Sequence, residues 1–268
     1  MPNIVDILKK IDKFFTPPVY VMSKKGDDAK ADARLVTYYD KYSYVTEQYK
    51  VLRTNLYSLS PQSPIKTIVI TSTQAQEGKS VTSCNLAYAL SLDSDKKVLL
   101  VDADFRKPAV HKVFKIPRKP GFIEVFKGEA DIENFIKKPV LDNLYIITSG
   151  TIISNPSEFL SSLKMKNYIE RLKEKFDYII FDTPPVINVT DSSILGAMCD
   201  CLLMVVRMGV TPKNMVEEAV TMLKHAQAKP KACILTGASI PFYYYYMGRY
   251  KYYYHYRYGY QGTTRRSY

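Results

Sequence analysis

Three apolar runs in this chain end in residue types suited to phosphate and metal chemistry. KTIVITS (Lys66 to Ser72) leads into TQAQEGKSV. Gly-Lys-Ser at a strand-to-helix turn is the core of a phosphate-binding loop, because helix-start amides and the helix dipole both favour an anion. The candidate nucleotide-binding residues are therefore Gln74, Ala75, Gln76, Glu77, Gly78, Lys79, Ser80 and Val81. Lys79 would neutralise the outer phosphates and Ser80 would hold Mg²⁺. The full loop pattern has a glycine five positions before Gly78, where this chain has Thr73. The tripeptide alone is a weak signal.

The second run, KVLLVDADFRKP, carries Asp102, Asp104 and Arg106 at its end. Residues two apart on a strand share a face, so both carboxylates can address one site. Buried like charges are costly unless a cation compensates them, and Mg²⁺ would do so. A solvated acidic loop is the bland alternative, and the apolar residues just before Asp102 weigh against it. The third run, YIIFDTPPV, places Asp182 at another strand end, where it suits a metal-holding role. Asp104, Asp182 and Ser80 are the candidate metal ligands; Lys79, Asp102, Asp104 and Arg106 are the candidate catalytic set.

The elements that must position these residues alternate along the chain. Strands are expected at Lys66 to Ser72, Lys97 to Asp102, Leu144 to Thr148, Tyr178 to Asp182, Cys201 to Arg207 and Lys231 to Gly237. Helical patterns fall at Thr46 to Leu59, Gly78 to Leu92, Met165 to Phe176 and Thr211 to Gln227, the last with Pro212 in its first turn. Near-continuous apolar strands separated by helices predict an α/β fold: a mainly parallel sheet covered by helices on both faces. Such sheets bind ligands beyond the carboxyl ends of their strands, where the three motifs lie. The expected organisation is an N-terminal arm over 1–45, a catalytic domain over 46–240 and a tail over 241–268.

The totals narrow the class. The chain has 268 residues, is 46% hydrophobic and carries a net charge of +12. That balance favours an anionic partner. No apolar stretch reaches the roughly 18 residues that a membrane span needs; the best, around Ile194 to Val206, is broken by Asp200. The first residues, MPNIVDILKKIDKFF, do not read as a signal peptide. Cys84, Cys199, Cys201 and Cys233 sit in apolar contexts without histidine at metal-ligand spacing, so they read as small buried hydrophobes in a reducing compartment.

The last stretch, PFYYYYMGRYKYYYHYRYGYQGTTRRSY, holds just over half of the chain's 23 tyrosines and no acid. It has no hydrophobic period and is expected to be disordered. By itself it admits three readings. It is an inert aromatic tail, a grip for single-stranded RNA through stacking and arginine–phosphate contacts, or a set of modification substrates.

TSTQAQEGKS, VLLVDADFRKP and YIIFDTPPV resemble the Walker A, A′ and B motifs of the bacterial tyrosine kinases. TEQYKVLRTNL, GTIISNPSEFLSS and the tyrosine run resemble that family too, from about Thr46 to the end of the chain. The resemblance is greatest to the cytoplasmic kinases of Gram-positive capsule and exopolysaccharide systems. It implies a P-loop NTPase-type fold and an ATP- and Mg²⁺-dependent protein-tyrosine kinase, with Asp102 as general base and Asp104 and Asp182 assisting the metal. It implies autophosphorylation of Tyr243, Tyr244, Tyr245, Tyr246, Tyr250, Tyr252, Tyr253, Tyr254, Tyr256, Tyr258, Tyr260 and Tyr268. Glu47, Lys50 and Arg53 resemble the family's ring-forming E-x-x-R-x-x-R motif, implying a homo-oligomeric ring with an octamer as a candidate size. A separate transmembrane activator at the inner face of the cell membrane, a cognate phosphotyrosine phosphatase and no nucleic acid are the implied partners.

The chain departs from the family in three places. Ala75-Gln76 replaces Pro-Gly, and glutamine takes positive φ less cheaply than glycine. Lys50 replaces an arginine and loses its planar donor fork. Leu235-Thr236-Gly237 stands where Leu-Asn is usual. Two rivals remain at this level: a partitioning-type ATPase of the same P-loop branch, and an ATP-gated RNA- or membrane-binding protein. Against the first, Gln74 occupies the position of that group's early loop lysine.

Overall fold

The computed structural model describes residues 30–59, 63–128, 136–228 and 230–237. The tail tyrosines from Tyr243 to Tyr268, and the arm before residue 30, lie outside the described residues.

The described chain runs α1 (Val36–Tyr39), α2 (Tyr44–Ser58), β1 (Thr67–Ser72), α3 (Lys79–Ser91), β2 (Val98–Asp102), α4 (Val110–Val113), α5 (Phe122–Lys127), β3 (Leu144–Ile147), α6 (Pro156–Leu160), α7 (Leu163–Lys175), β4 (Tyr178–Asp182), α8 (Asp191–Met198), β5 (Cys201–Arg207), α9 (Lys213–His225) and β6 (Pro230–Thr236). The six strands form one sheet in the order β3-β2-β4-β1-β5-β6, and every pairing is parallel. This is the α/β architecture that the alternation predicts. Alternate strand residues feed two cores. Val69, Leu99, Val101, Ile179 and Phe181 pack towards α7, α8 and α9. Ile68, Ile70, Val98, Leu100 and Ile180 pack towards α3 and its neighbours. Strands buried on both faces must be apolar throughout, which is why a polar residue at a strand tip stands out.

The order has a direct consequence for function. The strands bearing the three motifs, β2, β4 and β1, are consecutive in the sheet. Asp102 is the register partner of Asp182, so motifs about eighty residues apart meet.

Several boundaries differ from expectation for identifiable reasons. Helix α2 starts before Thr46 because Ser43 is its cap, its hydroxyl accepting from the Thr46 amide at 3.1 Å. Thr46 instead donates to the Asp40 carbonyl at 2.6 Å. Pro212 caps α9 rather than sitting inside it. Residues 30–45, expected to be part of an extended arm, are packed on the domain. Ala31 and Leu35 are buried. Thr37 donates from its amide and hydroxyl to Asn85 Oδ1 at 3.0 and 2.9 Å, and Asn85 Nδ2 donates to the Arg34 carbonyl at 2.9 Å. That segment is held by a polar side chain on α3, which hydrophobic periodicity does not register. None of the four cysteines is in a disulfide; Cys84, Cys199 and Cys201 are buried and Cys233 is half-buried. Among the described residues no helix is long and apolar enough to cross a membrane.

Candidate active site

The loop after β1 turns sharply through two left-handed residues, Gln76 (φ 67°) and Gly78 (φ 93°). Gly78 then caps α3 without any side-chain hydrogen bond. The first amides of this helix are thus left for a ligand, the arrangement that binds phosphate. At Gly78 the conformation, not space, demands glycine, since an added Cβ would make only an ordinary 3.6 Å contact with Thr236. At Gln76 the chain accepts the cost of a left-handed side-chain residue, about 1 kcal/mol. Gln76→Gly is expected to raise stability by about 0.5 kcal/mol, the relief of strain exceeding the added chain entropy. Thermal unfolding with and without nucleotide checks it.

Lys79 extends from the first turn of α3 to Asp104, with Nζ to Oδ2 at 2.8 Å, both side chains nearly buried. Its Nζ also lies 3.3 Å from the Ser80 hydroxyl. Burial works to depress the ammonium, but the Asp182, Asp104 and Asp102 carboxylates overcome it and hold its pKa above the ordinary value. Asp102 is fully buried. Its Oδ2 accepts from the Ala109 and Val110 amides at 3.2 and 3.1 Å, while Oδ1 has no partner. Burial, then the nearby Asp182 and Asp104 charges, push its carboxyl well above the usual carboxylate range. Asp182 is likewise buried. Its Oδ1 accepts from Ser83 Oγ at 3.0 Å and its Oδ2 has no partner. Burial raises this carboxyl too, opposed chiefly by Lys79. Asp104 Oδ1 accepts from the Lys107 amide at 2.8 Å, which fixes the loop after β2.

Of the two orphaned carboxylate oxygens on adjacent strand tips, Asp182 Oδ2, with the Ser80 hydroxyl and Asp104 nearby, offers donors for a hard divalent cation, and Asp102 Oδ1 is left to take a proton. Among the described residues no group of three His, Cys, Asp or Glu could hold a metal alone. Mg²⁺ commonly takes one or two carboxylates and completes its shell with phosphate oxygens and water.

The structure thus brings Lys79, Ser80, Asp102, Asp104 and Asp182 together. Arg106 behaves differently. Its guanidinium pairs with the buried Asp191 at the start of α8, Nε to Oδ2 at 3.1 Å, so it joins the loop after β2 to the loop after β4. Glu47 and Lys50 pair within α2 at 2.6 Å, and Arg53 donates to the Ala89 carbonyl of α3 at 2.9 Å. Sequence reasoning overlooked Ser83. It lies one turn after Lys79, the i,i+4 spacing that places both on one helix face. A cavity of about 1090 Å³ between α7, α8 and α9 shares no lining residue with this cluster.

A parallel sheet with a phosphate loop after one strand, β1, and aspartates at the tips of the next two strands in sheet order, β4 and β2, defines a phosphate-loop nucleotide-binding protein. A family model described as an AAA domain matches residues 65–234. The chain is 34% identical over 217 residues to tyrosine-protein kinase YwqD of Bacillus subtilis, covering 81% of this chain and 91% of that one. It is 35% identical over 189 residues to tyrosine-protein kinase ptk of Acinetobacter johnsonii, but spans only 26% of that longer protein's length. The crystal structure of the chimerical protein CapA2B2 superposes with a TM-score of 0.75 at 27% identity, covering 88% of this chain and 99% of that one. The chain belongs to the bacterial tyrosine-protein kinases, and its enzyme class is protein-tyrosine kinase. This answers the resemblance read in the motifs; a plasmid partition protein of Borrelia burgdorferi superposes with a TM-score of 0.51 at 22% identity, covering 67% of this chain and 84% of that one, which shows a shared fold alone.

Proposed function

We propose that this kinase uses Mg-ATP to phosphorylate the tyrosines of its own C-terminal run, in trans between subunits of a ring, and so regulates capsular or exopolysaccharide synthesis and export. One observation carries the reading: a buried carboxylate, Asp102, stands with an unpartnered oxygen beside a phosphate loop in a chain whose sequence carries a dense tyrosine run. Lys79 and the α3 amides would hold the phosphates; Ser80, Asp104 and Asp182 would hold Mg²⁺. Bound Mg-ATP supplies the transferable phosphoryl group. Asp102 Oδ1 would take the phenolic proton as the tyrosine oxygen forms its bond to phosphorus and ADP leaves. A tyrosine hydroxyl near pKa 10 attacks well at neutral pH only with such a base. Arg106 would act by holding the A′ loop to Asp191.

Glu47, Lys50 and Arg53 would form part of the ring interface by exchanging their present intrachain partners for a neighbour's. A separate transmembrane activator would hold the assembly at the inner face of the cell membrane, and a phosphotyrosine phosphatase would reset it. Each phosphate adds about −1.5 to −2 charges, so a few would cancel Arg249, Lys251, Arg257, Arg265 and Arg266. Neighbouring tails would then repel, and the ring would loosen.

The test incubates two variants together with Mg-ATP. An active chain ending at residue 240 is mixed with full-length Lys79→Met, and phosphotyrosine is read by immunoblot. Label on the Lys79→Met chain is expected; its absence overturns transfer in trans. Light scattering on Glu47→Ala/Lys50→Ala/Arg53→Ala is expected to report a monomer. If that variant stays assembled, the ring is held by another surface.

A further inference from the structure

The carboxylate inside the phosphate loop, Glu77, has no evident business beside polyphosphate, since its charge opposes the ligand. Its side chain is buried and turns the other way. Oε2 accepts from the Thr73 amide at 2.8 Å, bridging the start and end of the loop. Oε1 accepts from the Thr211 hydroxyl in the turn between β5 and α9. That hydroxyl in turn accepts from the Arg207 amide at 3.2 Å. The Glu77 carbonyl accepts from Thr236 Oγ1 at the end of β6, at 2.7 Å. The residue is flanked by the left-handed Gln76 and Gly78.

We infer that Glu77 is a positioning residue: its carboxylate clasps the start of the phosphate loop to the turn after β5, while its backbone carbonyl ties the loop to the end of β6, holding Gln76 and Gly78 in the left-handed turn that aims the α3 amides at the phosphates. Strained backbone persists only where its surroundings over-determine it, and here two carboxylate oxygens, one carbonyl and two threonine hydroxyls do so. On the far side of the loop, Lys79 reaches Asp104. The loop is therefore gripped from both directions along the sheet, and only the Glu77 side is independent of the aspartates. A carboxylate fits because both acceptors are occupied. Glutamine can keep the network, with its oxygen towards Thr73 and its amide donating to Thr211, whose hydroxyl accepts more than one hydrogen.

The inference rests on residues 73–81 being the phosphate loop, which Lys79→Met tests separately. The experiment measures kcat and KM for ATP, with melting temperature, for Glu77→Ala, Glu77→Gln, Thr211→Val and Glu77→Ala/Thr211→Val. Loss of two hydrogen bonds that pre-form the loop is expected to raise KM about tenfold in Glu77→Ala, with kcat changed less. Thr211→Val should raise KM about threefold. Glu77→Gln should stay within about threefold of wild type. The double variant should be no worse than Glu77→Ala, because both substitutions break one network. Additive effects in the double variant, or an unchanged KM in Thr211→Val, overturn the clasp. A Glu77→Gln variant as impaired as Glu77→Ala at equal melting temperature also overturns it, since the charge itself would then act on metal or substrate. Should Glu77→Ala fail to fold, the Gln and Val variants still decide.

Discussion

Lys79→Met is expected to abolish tyrosine labelling in a chain that still folds. Phosphoryl transfer depends mostly on positioning and charge stabilisation, and loss of a phosphate-facing cation costs on the order of 10³-fold or more. The methionine preserves the aliphatic stem, and Lys79 belongs to neither hydrophobic core. The variant should nonetheless be less stable. Lys79 is the direct partner of Asp104 and the main charge opposing the raised Asp182, and breaking a buried pair typically costs about 3–5 kcal/mol. The pH dependence follows from the carboxyls. Without the ammonium, which opposes the rise of both, the folded-state pKa values of Asp102 and Asp182 lie further above the unfolded ones. Such groups favour folding below the unfolded value and lose that contribution as pH rises towards the folded value. The deficit in melting temperature should thus be smaller at pH 5 than at pH 8. Near-wild-type labelling would sink the assignment of the phosphate loop, whatever the stability.

Asp102→Asn should lose phosphoryl transfer by about 10²–10⁴-fold, the usual contribution of a positioned base, while Mg-ATP affinity stays within about tenfold. Stability should move the opposite way from activity. The asparagine oxygen can still accept from Ala109 and Val110, and its amide would donate to the neighbouring Asp182 where Asp102 Oδ1 now has no partner. Removing a buried like charge is expected to gain about 1–2 kcal/mol at neutral pH. Here too the sign is set by a raised folded pKa. The wild-type carboxyl costs nothing at acid pH, and its penalty grows as pH climbs from about 4 towards the folded value. The two melting curves should converge in acid and separate near neutrality. If the variant loses Mg-ATP binding but keeps residual turnover, Asp102 is a metal ligand and the base lies elsewhere.

Much of this site is legible in the sequence because the sheet is buried on both faces. Tyr178 to Asp182 and Cys201 to Arg207 match their strands residue for residue, since uninterrupted apolar runs have sharp ends. The order of the strands is not legible. Nothing local says that β4 inserts between β2 and β1, and that insertion is what joins Asp102 to Asp182. Helix α8 is hidden for another reason: Ile194 to Met198 reads on into β5 as one apolar stretch, with only Asp200 marking the turn. Arg106 sits in a motif with Asp102 and Asp104, yet its partner is Asp191, 85 positions along the chain. Glu77 falls within the expected loop, but its outward orientation depends on Thr211, 134 positions away. Side-chain direction at such places is a tertiary property, which residue type alone does not carry.

The end of β6 sets a kinetic scale. Thr236 is pinned to the phosphate loop, and Tyr243 follows Gly237 by six positions. In the proposed ring, a neighbour's site would meet the tail phenols at an effective concentration fixed by linker length and subunit geometry, on the order of millimolar for a short linker. Labelling while assembled would then be a first-order process, indifferent to how much kinase the cell makes. In dispersed chains the same reaction would become second order and fall to the bulk concentration of free chains. The anchoring of one strand end would thus convert assembly itself into the rate control.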